Sequence, residues 1–157
     1  MKITVLMLGK TSVKPVSELM LDYENRLKHY ISTEITIIPE LKSTKNLTEA
    51  LQKEKEGELI LKNIEKGDEV YLLDEKGKML SSVDFAEMID KKNSEASKRM
   101  IFVVGGAYGF SQTVYNRADG LISLSKMTFP HQLVRAIFME QLYRAMTIIR
   151  GEPYHHV

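Results

Sequence analysis

The sequence predicts an α/β fold, a mostly parallel sheet flanked by helices. Three observations carry that prediction. Short runs of branched apolar residues alternate with segments of helical spacing along the whole chain, as in a sheet built from strand–helix units. The first run, Ile3 to Leu8, is continuous rather than alternating, as in a strand covered on both faces. Unusual polar or glycine-rich residues gather just after three of the runs, where open sheets of this class bind ligands. At 157 residues the chain reads as one domain, 1–157, long enough to bury a real core.

The elements follow in order. Gly9 closes the first strand, and Pro15 opens a helix at a position where its missing N–H costs nothing. Val16, Leu19, Met20, Tyr23, Leu27 and Tyr30 then recur at helical spacing. Glu34 to Ile38 is a second strand, ended by Pro39, and Leu41 to Thr48 is a polar loop. Thr48 caps a helix that runs through Leu51, Leu59, Ile60 and Ile64. Its charged middle, Lys53 to Glu58, reads as a solvated face. Glu69 to Asp74 is a third strand, which Gly77 breaks from the next segment of chain. Ser81 or Ser82 caps a helix carrying Val83, Phe85, Met88 and Ile89. Met100 to Val104 is a fourth strand, Gln112 to Ala118 a short helix, and Leu121 to Leu124 a fifth strand. The last helix runs from Pro130 to about Ile149.

Composition narrows the function. Hydrophobic residues make up 43% and charged residues 27%, as in ordinary globular proteins, and the formal net charge is only +1. Capture of nucleic acid by overall charge is therefore not expected, and any such partner is met by a local patch or by shape. Residues 121–157 hold four Lys or Arg against two Glu, a modest patch of that kind. With no cysteine, thiolate nucleophiles and cysteine metal sites are excluded. No apolar run approaches the length of a membrane span, so a cytoplasmic location with no membrane partner is expected. His131, His155 and His156 match no zinc-ligand spacing, and no metal is expected.

The strand ends carry the chemistry. Leu73-Asp74, Val104-Gly105-Gly106 and Leu124-Ser125 are the three strand ends that stand out. Gly105-Gly106-Ala107-Tyr108-Gly109 lacks the G-x-G-x-x-G spacing of dinucleotide binders, but its glycines let a ligand approach the backbone. The densest signal is Ser123 to Arg135, where hydroxyls, Lys126, His131 and Arg135 interrupt an otherwise buried strand–helix junction. Polar groups near a core cost free energy unless each finds a partner. The Arg135 guanidinium, between apolar neighbours, needs a planar anion or carboxylate, and phosphate fits. Glu140 and Arg144 stand four apart, the spacing of a plain intrahelical ion pair. The last helix is apolar almost all round, which implies two packed surfaces, one on its own sheet and one on a second subunit.

With these residues assembled, the chain resembles the RlmH family, SPOUT-class methyltransferases that modify a pseudouridine at N3 in 23S ribosomal RNA. The resemblance covers essentially the whole chain. It is carried by Leu73-Asp74 with Gly77-Lys78, Phe102 to Gly106 with Gly109, Leu124 to Gln132 with Arg135, Glu140 to Ala145, and Gly151 to His155. It implies a C-terminal trefoil knot, a homodimer and ribosomal RNA within the ribosome as substrate. It implies an S-adenosylmethionine site made by Leu73, Gly105, Leu124, Ser125, Lys126, Met127, Thr128 and Phe129. His155 is the expected base or orienter, with Tyr154 beside it to stack on the target base. Arg135, Arg144 and Lys126 would hold phosphates or steady developing negative charge, and His131 would serve the substrate side. The ending His156-Val157 departs from the family, which often closes on a basic residue. Two other classes stay open at this point: a nicotinamide-dependent enzyme, and a non-catalytic ribosome-docking module.

Overall fold

The computed structural model describes residues 1–156; Val157, part of the divergent ending, lies outside the described residues. Five strands form one sheet: β1 (Lys2–Leu8), β2 (Ser32–Ile38), β3 (Glu69–Met79), β4 (Arg99–Val104) and β5 (Gly120–Ser123). Their order is β2-β1-β4-β3-β5, and every pairing is parallel. Parallel neighbours need crossovers, and helices supply them: α1 (Lys14–Leu27), α2 (Glu49–Leu61), α3 (Ser82–Ser94), α4 (Gln112–Arg117) and α5 (Leu133–Ile149).

Alternate strand residues face opposite sides, and two cores result. Ile3, Val5, Met7, Met100 and Phe102 pack with the apolar faces of α1, α3 and α5. Leu6, Val70, Leu72, Ile101 and Val103 pack with Ile60 of α2 and Val114 of α4 on the other side. Within the first layer α5 touches both α1 and α3, so it is the central helix, covered by the sheet above and a helix on each side. Neighbours from its own chain thus account for much of the apolar circumference that the sequence assigned to a second subunit. Phe138, Met139 and Leu142 are fully buried there.

Local chemistry sets the helix starts. Thr48 Oγ1 accepts from Leu51 N at 3.1 Å, and Ser81 forms a reciprocal capping box with Asp84. Four boundaries differ from expectation by more than two residues. The first helix stops at Leu27, so Tyr30 packs from the following turn, and α2 stops at Leu61, short of Ile64. Helix α5 begins at Leu133 rather than Pro130, and Gln132 just before it directs its side chain to the start of α1. There its Oε1 accepts from the N-cap amide of Val13 at 2.8 Å and from Ser12 N at 3.0 Å, tying the start of α1 to that of α5. Gly77 does not break β3. The strand bulges between Leu73 and Lys78 and then resumes pairing with β5. A Cβ on Gly77 would stand 2.5 Å from the Ile122 backbone nitrogen, so glycine is required for the two backbones to approach.

Candidate active site

The carboxyl ends of β3, β4 and β5 surround a cleft of about 390 Å³, in the size range of small-molecule sites. Leu73, Gly105, Leu124, Ser125, Lys126, Met127, Thr128 and Phe129 all line it, and so does His131. The three strand ends singled out from the sequence therefore meet in one place, because β3 lies between β4 and β5 and all three point the same way.

Each wall has a local cause. Gly105 packs against the Phe110 ring, and a Cβ there would come within 2.8 Å of it. Gly109 takes φ +81° and donates its N–H to the Gly106 carbonyl at 3.3 Å, folding the glycine loop into a tight turn. On the opposite wall the loop braces itself. Ser123 Oγ donates to the Ser125 carbonyl at 3.0 Å, and Ser125 Oγ accepts from Met127 N at 2.9 Å. Those bonds hold Met127 outward, 77% exposed, at the lip of the cleft.

Asp74 and Tyr115 were not anticipated as a pair. The Tyr115 hydroxyl donates a short hydrogen bond to Asp74 Oδ2, while Asp74 Oδ1 accepts from Lys76 N at 2.8 Å. Burial and then the Asp74 carboxylate push the Tyr115 phenol up to about 12, so it remains a donor throughout the physiological range. The pair ties the β3 bulge to α4 across the cleft. The acidic strand end was visible in the sequence, but nothing in a short helix marked Tyr115 as its partner. Lys53 to Glu58 also differs from the solvated face expected. Gly57 is buried because a Cβ would collide with Ser111 Oγ, and Glu56 Oε2 is buried beside Gly106 without a hydrogen-bond partner.

Arg135 does not face the cleft. It is 1% exposed and donates to the carbonyls of Leu8 and Gly9 at 2.5 and 2.8 Å and to Thr11 Oγ1 at 2.9 Å. Backbone oxygens of the β1–α1 turn thus fill the role expected of phosphate. Burial pushes its guanidinium down from the ordinary value, with the Glu40 charge acting against that.

The tail residues form a second cluster, and none of them lines the cleft. Arg144 donates to Glu140 Oε1 through Nε at 2.9 Å and Nη2 at 2.6 Å, the intrahelical pair that the spacing indicated. Its guanidinium carbon lies 4.7 Å from the Tyr154 ring centroid, and its Nη1 lies 3.1 Å from His155 Nδ1. Because a guanidinium only donates, Nδ1 accepts in this geometry, which assigns the ring proton to Nε2. Tyr154 stacks on Tyr143 at 4.8 Å and donates to Glu140 Oε1 at 3.0 Å. Burial first, then hydrogen bonds with Tyr23 and Glu140, push its phenol well above the ordinary value.

Comparisons with known proteins converge on one family. A family model described as a predicted SPOUT methyltransferase matches residues 1–155. The chain belongs to the SPOUT methyltransferase family. Within that family it is 56% identical over 156 residues to the ribosomal RNA large subunit methyltransferase H of Parabacteroides distasonis. It is 57% identical to the protein of the same name from Christiangramia forsetii, and each alignment spans 99% of both chains. A solved structure of a probable methylase family protein from Haemophilus influenzae superposes with a TM-score of 0.50 at 12% identity. That likeness covers 95% of this chain and 66% of the other, and it concerns the fold alone. This SPOUT chain is a methyltransferase, and the cleft at its strand ends is the candidate donor site.

Proposed function

We propose that this chain transfers a methyl group from S-adenosylmethionine to N3 of a pseudouridine in 23S ribosomal RNA, acting in the cytoplasm as a homodimer with a knotted C-terminal part. The observation that carries the reading is the meeting of Leu73, Gly105 and Leu124 to Phe129 in one cleft. The residues present fit such a donor. Leu73, Val104, Ile122, Leu124 and Phe129 give apolar walls for a flat base. Asp74 and Glu75 supply carboxylates for a ligand bearing ammonium and sulfonium charge. The Gly105 and Gly106 backbone stands open to close approach.

When bound, the sulfonium supplies an already activated methyl group. The protein's task is then placement of the nucleophile in near-attack geometry. Lys126 and His131 stand at the cleft, suited to hold the substrate over it. The target nitrogen must lose its proton, which passes to water. His155, held through Nδ1 by Arg144, is arranged to present Nε2–H to a base carbonyl and so to steady the negative charge that appears. Tyr154, packed on Tyr143 and bonded to Glu140, positions that group. Within one chain this cluster stands apart from the cleft, and the homodimer would bring the tail of one protomer to the cleft of its partner.

The test is transfer of labelled methyl groups to ribosomes from a strain lacking the activity, repeated with His155→Ala. Label is expected in the large-subunit RNA with the intact protein and strongly reduced with the variant. No incorporation by the intact protein overturns the reading. Intact ribosomal particles are expected to be far better substrates than naked RNA, because the net charge of +1 favours recognition by shape. Sedimentation showing only monomer at micromolar concentration would remove the dimer.

A further inference from the structure

The two edges of the sheet carry different charge. All five strands run parallel, so their carboxyl ends lie along one edge and the loops after them form one rim. Five strands at about 4.8 Å spacing make that edge roughly 20 Å long. Lys42 and Lys45 follow β2, Lys10 and Lys14 follow β1, and Lys76 and Lys78 stand in and beside the bulge of β3. Together with Lys126 after β5 they make seven lysines, all exposed. Among the described residues none of the seven pairs with a carboxylate in the same loops, and no ion pair of the molecule includes them.

Four carboxylates share the rim. Glu40 lies against Gly9 and acts on buried Arg135, Asp74 is bonded to Tyr115, and Glu49 at the start of α2 and Glu75 are exposed. The balance along this rim is therefore +3, seven lysines against four carboxylates. The opposite edge is neutral, with five basic against five acidic residues in the turns before the strands and in the tail after α5. Charges near that edge are spent internally, as in Arg99 with Asp68 at 2.5 Å and Lys92 with Glu69 at 3.0 Å.

The β2–α2 loop presents its cations with a regular backing. Leu41, Thr44 and Leu47 are half-buried at steps of three, while Lys42 and Lys45 between them point to solvent. A methyl group held among the ends of β3, β4 and β5 lies at this same edge. We infer that the lysine rim is an RNA-docking surface, with Lys10, Lys14, Lys42 and Lys45 holding backbone phosphates beside the cleft, on strands one and two spacings (about 5 and 10 Å) along the sheet edge from β4. This rests on the reading of RNA as substrate. It extends the contact surface to two loops that no other part of that reading uses.

The experiment measures direct filter binding to large ribosomal subunits across a salt series, with donor affinity and methyl transfer measured separately. The rim variant combines Lys14→Gln, Lys42→Gln and Lys45→Gln. The control combines Lys62→Gln, Lys66→Gln and Lys98→Gln at the neutral edge, all exposed positions. The rim variant is expected to bind at least about tenfold more weakly at low salt, with the slope of log affinity against log salt reduced by about 2 to 3. Its donor affinity and melting temperature should match the parent, and the control should bind as the parent does. A rim variant within twofold of the parent, or a control that loses as much, overturns the inference. A parent that binds subunits with the expected slope yet transfers no methyl group sinks the proposed reaction instead.

Discussion

Replacing Arg135 with methionine separates a structural cation from a functional one. Methionine keeps most of the volume and the unbranched shape, so the main change is loss of three donors to Leu8 O, Gly9 O and Thr11 Oγ1. Thr11 is half-exposed and can turn to water, whereas Gly9 is buried. Each buried carbonyl left without a donor costs about 1–3 kcal/mol. Removing the guanidinium also releases the cost of burying its charge, which offsets part of that loss. A net destabilisation of about 3 kcal/mol is expected, which lowers the melting temperature of a domain this size by roughly 6–12 °C. Thermal melts followed by circular dichroism measure it, with donor binding assayed well below the transition. Donor affinity should stay near the parent's, since Arg135 does not line the cleft. A variant that melts within about 2 °C of the parent but no longer transfers methyl groups would refute the reasoning and restore Arg135 as an anion-binding residue.

Two further outcomes are expected. Gly57→Ala adds a methyl group against Ser111 Oγ and, at 3.1 Å, against Val114 Cγ2. The gain in helix propensity is about 1 kcal/mol and the overpacking cost about 1–3, so urea melts should show net loss of stability, and a more stable variant would contradict the packing described. Asp68→Asn removes the negative charge and one of the two oxygens that accept from Arg99 Nε at 2.9 Å and Nη2 at 2.5 Å, bonds which hold the Asp68 carboxyl below its ordinary value despite partial burial. A depressed folded pKa contributes stability above the unfolded value of 3.8 and loses it as pH falls toward the folded one. The variant should therefore be less stable by about 2 kcal/mol at pH 7, with the gap closing below pH 3.8; a gap that persists or widens in acid would exclude the pair as its cause.

Where sequence and structure disagree, the cause is usually a distant partner. The sequence pointed Arg135 to an anion or carboxylate, but its acceptors are two backbone carbonyls and a hydroxyl that lie about 125 positions earlier, as the span from Gly9 to Arg135 shows. Gly77 marks a special backbone in both descriptions. Only the approach of Ile122 tells an interruption from a close crossing of strands. The Lys53 to Glu58 run is charged enough to read as solvated, yet α2 rests on α4 at Gly57. The tail shows the same limit. Glu140 and Arg144 pair locally as their spacing indicates, while the addition of Tyr154 and His155 needs the chain to turn at Gly151, which takes φ +69°.

The alternation of apolar runs with helical spacing determined the parallel α/β class. Such a sheet puts every strand end on one edge, so local pattern already placed Leu73, Gly105 and Leu124 to Phe129 on a common edge, and the strand order then made them neighbours. These are short-range properties, set by side-chain periodicity and backbone sterics. Strand order, the covering of α5 on both sides, the Asp74–Tyr115 tie and the division of lysines between the two edges were decided only by tertiary structure. Each depends on residues far apart in the chain meeting at van der Waals or hydrogen-bond distance, and no window along the sequence contains both partners.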